Sequence, residues 1–349
     1  MTSLNSTISD KNTLTLRQQL EELCRKDPSV SVFLHPFWLD VVCKNGIWDI
    51  CLSYDNAGAI DGVLVYYKVK LKGIIPAIAM PELTPNAGIW LRLPSHKTNG
   101  IKRHSVYTNT KKIVENLVSQ LPNVPIYCQH FHYSLTDWQP FFWRNFRQTT
   151  HYSYVLDNLH DLAAIYGDLK GSVRTDLKKA ERFVSIENLE ETTSNDLSDF
   201  YDVVNLSFLK QGMKPLYSLE TLRELDTVLA QKSARKLFLA RDTEGSSDIE
   251  KGAIHGGVYI IIWNGTAHYI AGGSHPEKRQ SGAMSLLIWR AIEWAAAQDC
   301  HTFDFEGSMI PQVETLFRAF GGKQKPFFRI TKTRNKIYDL MTLFFPNYR

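Results

Sequence analysis

The sequence predicts an α/β (α+β) fold of two tandem domains, each a mixed central sheet flanked by helices. Three observations predict it. Apolar residues make up 44% of the 349 and charged residues 22%, the balance of a globular chain long enough for two ordinary domains. The second half reads hairpin, helix, strand, helix, strand. The first half runs in the same order more faintly, and a shared order of five elements points to an internal repeat.

Residues 1–29 read as an N-terminal extension, because "MTSLNSTISDKN" is polar and lacks an apolar signal core. The first domain is expected over 30–160. In it, "WDICLSYDNAGAIDGVLVYYKVKL" forms a hairpin-like pair around Asp55 to Gly58, and "TNTKKIVENLVSQL" an amphipathic helix. "VPIYCQHF" is a strand, "DWQPFFWRNF" a short helix and "THYSYVLD" a closing strand. The join is expected near 157–162.

The second domain, 161–332, opens on "LKGSVRTDLKKAERF". Lys170, Arg174, Lys178 and Arg182 recur every four residues and so share one helix face as a basic ridge. Val173, Leu177, Ala180 and Val184 form an apolar stripe. "GGVYIIIWNGTAHYIAGG" is the clearest hairpin, since Asn264 and Gly265 both accept positive φ. The loop "SHPEKRQSG" leads into "AMSLLIWRAIEWAAAQ", which is apolar around most of its circumference and therefore a buried helix. "HTFDFEGS" is a short strand. Pro311 opens the helix "PQVETLFRAF", Gly321 and Gly322 close it, and "PFFRITK" is the final strand. Residues 333–349 form a helical tail with Ile337, Leu340, Met341 and Phe344 at helical spacing. It is expected to pack on its own domain or make at most a peripheral membrane contact.

Several function classes are excluded. A net charge of +4 argues against a broad nucleic-acid-coating surface, and no DNA partner is expected. The cysteines, Cys24, Cys43, Cys51, Cys128 and Cys300, contain no C-x-x-C pair and read as reduced thiols of a cytoplasmic protein. No run of about 18 apolar residues would span a bilayer. His130, His132, His255, His268, His275 and His301 lack metal-site spacing, so they read as structural and no metal is expected. No G-x-S-x-G, Walker A or G-x-G-x-x-G motif occurs.

Three constellations carry candidate chemistry. The loop "EKRQSGAM" precedes a helix, whose free N–H groups and dipole attract anions. With Lys278, Arg279, Ser281, Gly282 and Ala283 it is a recipe for a pyrophosphate, against the plain alternative of a polar connector. In the basic ridge, five cations face two anions between 170 and 182, which suits an anionic ligand or a merely solvated face. In "FDFEGS", Asp304 and Glu306 share one strand face at a strand's carboxyl end, where ligands of α/β sheets gather. Glu306 is the candidate base for acyl transfer to an amine, with Asp304 orienting a neighbour. Tyr269 is a candidate donor to the acyl carbonyl.

The segments "VRTDLKKAERF" and "FDFEGSMIPQVETLFRAFGG", with "HPFWLDVV", "MPELTPNAGIW" and "DWQPFFWRNFRQTTHYSYVLD", resemble the GNAT acyltransferase superfamily. In their tandem arrangement they resemble its FemABX-like branch of peptidyl aminoacyltransferases. The resemblance implies two GNAT-like domains and an N-acyltransferase that moves an acyl group from acyl-CoA or a similar thioester. It also implies an amine acceptor on an anionic small molecule or lipid carrier related to the cell envelope or polysaccharide, held by Arg174 and Lys178, with Lys170 and Arg318 as further candidate contacts. A charged tRNA is the alternative donor, and a non-catalytic binding protein the alternative class. Two departures stand out. The branch's usual F-K-x-x-F-G falls here on "LFRAFG", with Phe317 in the lysine position. The coenzyme A loop [QR]-x-x-G-x-[GA] is half matched by "RQSGAM", with Met284 where a small residue belongs.

Overall fold

The computed structural model describes residues 4–92, 102–210, 212, 216–243 and 252–342. The chain divides into two compact units. One comprises 1–151 and 326–349, the other 152–325.

The first unit begins with α1 (Leu4–Lys26), followed by a short 3₁₀ turn and α2 (Pro36–Val42). Leu20 and Leu23 of α1 and Trp38 and Leu39 of α2 are buried, so the expected N-terminal extension contributes to this unit's core. Strands β1 (Ile47–Tyr54) and β2 (Ile60–Leu71) form the hairpin, followed by β3 (Ile75–Ala79) and the short β4 (Ile89–Leu91). After α3 (Arg103–Ser119) come β5 (Ile126–His130), α4 (Gln139–Phe142) and β6 (Arg147–Asp157). The sheet order is β1-β2-β3-β5, with β3 parallel to β5 and β4 beside β2. Ile113, Val114, Leu117 and Val118 of α3 pack onto this sheet with Leu64, Ile78 and Phe131, the i, i+1, i+4, i+5 stripe of an amphipathic helix.

The second unit takes the end of β6 and continues with α5 (Leu162–Asp168), α6 (Gly171–Ala180), β7 (Val184–Leu189), α7 (Ser194–Lys210) and α8 (Leu219–Ala230). Then follow β8 (Arg235–Asp242), β9 (Ile254–Trp263), β10 (Thr266–Ser274), α9 (Ala283–Ala297), β11 (Thr302–Asp304) and α10 (Pro311–Arg318). Strand β12 (Lys323–Thr333) and helix α11 (Lys336–Thr342) end the described chain. The order in this unit is β6-β11-β10-β9-β8-β7, antiparallel except for the parallel pair β10–β11.

Both faces of this sheet are covered, which explains the unbroken apolar run "VYIII". Val258 and Ile260 face the cluster built by α5, α6 and α9. Tyr259 on the other face stacks near Phe200 of α7 and donates its hydroxyl to Asp226 Oδ1 of α8. Gly257 and Gly273 lie opposite each other. A Cβ on Gly257 would press into the Phe200 ring at 2.6 Å, and one on Gly273 into the Val204 backbone at 2.8 Å. These glycines let α7 lie close on the sheet.

The strand assignments need one correction. "PFFRITK" was expected to close the second domain, but residues 329–333 of β12 pair with β5 of the first unit. Residues 155–157 of β6, expected in the first domain, pair with β11 of the second. Each strand is 11 residues long, long enough for its two ends to join different sheets, so local pattern alone does not assign them. Residues 343–349 of the expected tail lie outside the described residues. In α11, Ile337 is 70% and Leu340 60% exposed, and Asp339 is held by Arg147 at 2.9 Å.

Candidate active site

The site is built where β10 and β11 part. Asn264 and Gly265 both take positive φ, turning the chain from β9 into β10. The pairing of β10 with β9 shifts register between Tyr269 and Ala271, a bulge that bends the strand and leaves Ile270 outside the ladder. On its other side β10 pairs with β11 only from Thr266↔Thr302 to His268↔Asp304. Beyond that point, among the described residues, no strand pairs with this edge of β10. Apart from that of Ser274, which donates to Ser207 Oγ at 3.0 Å, the backbone N–H groups on this edge meet no strand and can face a ligand's carbonyl.

Strand β11 ends in an unusual turn. Glu306 and Gly307 both have positive φ, +56° and +73°. For Glu306 this left-handed conformation costs about 1 kcal/mol. A Cβ on Gly307 would strike the Tyr152 carbonyl oxygen, so only glycine fits there. Asp304 holds the turn. Its Oδ1 accepts the Glu306 N–H at 2.8 Å and the Ser153 hydroxyl at 2.5 Å. The turn aims Glu306 at His268, whose Nδ1 lies 2.5 Å from Oε1. The two side chains are only 12% and 7% exposed.

Burial sets the electrostatics. It pushes Asp304 up to about 7, helped by the neighbouring Glu306 charge and opposed by the Ser153 hydrogen bond. It pushes His268 down to about 4, opposed by Asp304. At pH 7 the imidazole is therefore neutral. Against a Glu306 carboxylate it is the Nδ1–H that donates. The cluster can accept a proton from an amine at low cost, because one more positive charge there meets two carboxyl groups.

His268 is the member that sequence reasoning missed. Its only signal is its position in the hairpin strand, and its partnership with Glu306 depends on the parallel register of β10 and β11. Tyr269 is buried, which pushes its hydroxyl well up. Its ring meets Phe317 edge-on at 5.2 Å, and its hydroxyl lies where a Cβ on Gly272 would sit.

The other candidates fall elsewhere. Gly282, φ +76°, caps α9 without a side-chain bond, but α6 closes over it. A Cβ there would meet the Asp176 carbonyl at 2.6 Å, and Ser285 donates its hydroxyl to Asp176 Oδ2 at 3.3 Å. A carboxylate thus already faces the positive end of α9. Ser281 accepts from the Ala283 N–H at 3.2 Å, and Ala283 is buried. Lys278 turns inward toward Asp242, 3.9 Å away, leaving Arg279 as the exposed cation of the loop. The loop expected as a pyrophosphate cradle has Asp176 of α6 packed against its Gly282.

Arg174 was expected at a substrate, yet its Nη1 donates to the carbonyls of Leu169 at 2.8 Å and Gly167 at 3.0 Å. It caps the carboxyl end of α5. Lys170 and Lys178 are exposed. Arg318 is paired with Glu314 one turn back at 2.8 Å. Glu314 also accepts the Tyr154 hydroxyl. No group of side chains suited to a metal ion occurs among the described residues.

Residues 168–310 match the model of the Acetyltransferase (GNAT) domain. Residues 168–310 therefore carry the signature of a GNAT acetyltransferase domain. The parting of β10 from β11 lies inside the matched stretch, and the class of enzyme is N-acyltransferase. No curated protein matches the sequence. Among solved structures, FemX is similar over 93% of this chain and 98% of its own, with TM-score 0.58 and 10% identity. L-PGS from Bacillus licheniformis is similar over 96% of both chains, with TM-score 0.54 and 11% identity. A tandem GNAT protein from the clavulanic acid biosynthesis pathway covers 93% and 96%, with TM-score 0.51 and 10% identity. At these identities the likeness is one of fold. The chain thus carries a GNAT domain at 168–310 within a fold similar to that of FemX. No helix among its described residues is long and apolar enough to cross a membrane.

Proposed function

We propose that this protein transfers an acyl group from an activated donor to an amine, with Glu306 as general base and His268 as its partner. The observation that carries the reading is the left-handed turn that sets Glu306 against His268 where β10 and β11 part. Backbone strain at a buried carboxylate persists only when surrounding structure enforces it, and such strain clusters at functional sites.

In the proposed reaction the amine lone pair attacks the acyl carbonyl carbon. The oxygen takes up the carbonyl electron pair, and backbone N–H groups of β10 beyond the bulge stabilise it. Glu306 takes the amine proton, and the Nδ1–H of His268 keeps the carboxylate oriented. Collapse expels the ester oxygen or thioester sulfur with its bonding pair, and that atom is protonated as it leaves. No covalent enzyme intermediate forms.

Of the two donors, an aminoacyl ester on tRNA is favoured over acyl-CoA. Asp176 at the start of α9 repels a pyrophosphate where the half-matched loop would bind it. FemX and L-PGS share the two-unit fold, which supports an anionic acceptor of the cell envelope or a lipid headgroup. The exposed Lys170, Lys178 and Arg279 are its candidate contacts. The cytoplasm is the proposed compartment. The test supplies hydroxylamine as a surrogate amine with labelled aminoacyl-tRNAs or with acetyl-CoA. Hydroxamate formed from the ester donor supports the reading. Hydroxamate from acetyl-CoA alone would reverse the donor assignment, and none from either would count against transfer.

A further inference from the structure

The first unit holds a charged group that the acyl-transfer site does not use. Arg329 on β12 is 5% exposed. No ion pair involves it among the described residues, and its Nη2 is buried without a hydrogen-bond partner. An unpaired buried cation costs several kcal/mol, so such groups are matched by a counter-charge. Here the neighbours supply none. Arg329 lies directly across the ladder from His130 of β5, so both side chains share a sheet face. His151 completes the cluster, its ring centroid 5.3 Å from that of His130 and 5.6 Å from that of Phe327. Cys128, two residues before His130, shares a hydrogen bond with the guanidinium. Not one of these groups is a carboxylate.

The imidazoles are kept neutral. Burial pushes His130 down to about 3, with His151 and Arg329 adding like-charge repulsion. His151 is lowered by burial and by Arg329. One ring nitrogen of His130 bonds to the Pro85 backbone, so in the neutral ring that nitrogen carries the proton and the other a lone pair. The cluster presents guanidinium N–H donors beside an imidazole acceptor. That is the complement of an oxyanion that retains one O–H. A hydrogen phosphate group meets both demands, whereas a carboxylate brings no O–H. Both histidines keep some solvent exposure, which gives a route in.

We propose that Arg329, His130 and His151 form a phosphate-binding site in the first unit. The proposal is independent of the acyl-transfer reading, because it concerns other residues and its test involves no turnover.

The test is thermal unfolding of the full chain at pH 7 in a phosphate-free buffer, with orthophosphate added at constant ionic strength. Acetate and chloride serve as parallel arms. Orthophosphate is expected to raise Tm by several degrees at saturation, and acetate and chloride to leave it unchanged. Arg329→Met is expected to lose the response and to melt no lower than the parent without phosphate, since it removes a buried charge that has no counter-charge among the described residues. A response to acetate equal to that of phosphate would overturn the assignment in favour of a carboxylate. No response in the parent, or the same response in Arg329→Met, would overturn it outright. If that variant does not fold, the ring resonances of His130 and His151 in the parent decide. They are expected to move together on phosphate addition, and their standing still would refute the site.

Discussion

Replacing Asp304 by Asn isolates the cost of burying one carboxyl. Asn keeps an Oδ1 that accepts from Ser153 and from the Glu306 N–H, so the turn survives while the charge is lost. The folded pKa of Asp304 is raised from 3.8 to about 7, so the native state binds this proton more tightly than the unfolded chain does. The associated stability is complete below about pH 3.8 and is lost as pH rises toward 7. The gap corresponds to about 4 kcal/mol. His268 acts in the opposite direction. Its pKa falls from 6.5 to about 4 on folding, so its contribution is present above pH 6.5 and lost as pH drops to 4. Because Asp304 itself raises His268, that contribution differs between the two proteins mainly near pH 4, so the comparison is read from pH 5 upward, where the folded imidazole is neutral in both. Urea unfolding at pH 5, 6, 7 and 8 should therefore show Asp304→Asn gaining on the parent, by more than half of the Asp304 gap, and levelling off above pH 7. Parallel stability curves would refute the claim that Asp304 is buried with an unfavourable charge.

Three further outcomes follow from the same geometry. Gly307→Ala adds a Cβ against the Tyr152 carbonyl at a positive φ and should cost at least about 2 kcal/mol, read by chemical denaturation. Arg174→Ala should lower stability by about 1–2 kcal/mol through the lost cap on α5, with acceptor affinity unchanged, and a purely kinetic defect would restore the substrate role. Coenzyme A at about 100 times an ordinary dissociation constant would add about 2.7 kcal/mol if it bound. No melting shift is expected, because Asp176 occupies the start of α9.

The order of elements was legible because it rests on local signals. Asn264-Gly265, Pro311 and the apolar runs of α9 and β9 each specify their own stretch of chain. The partners of β6 and β12 were not, since each is a long strand and nothing local selects a neighbour for either end. The catalytic candidates Asp304 and Glu306 could be read from their place at a strand end, but the role of His268 needed the register of β10 against β11. What faces the loop before α9 was hidden for a related reason. The loop's own residues suit an anion, whereas Asp176, which closes it, comes from a helix about a hundred residues earlier. Arg174 likewise looked free on a helical wheel, and is spent on α5 carbonyls that a wheel does not contain. Phe317 in the position of the usual lysine is now explained by packing. It is 2% exposed and stacks with Phe305 at 4.9 Å, so a charge there would be buried in the aromatic core.

The most direct test of Glu306 as the base is the rate of hydroxamate formation from the productive donor by the parent and by Glu306→Gln. Gln fills the same space and still accepts the His268 hydrogen bond, but it cannot take a proton. The account predicts a rate lower by roughly 10²- to 10⁴-fold with an unchanged melting temperature. A Gln variant that turns over donor as fast as the parent would contradict it, and the proton would then have to leave by another route.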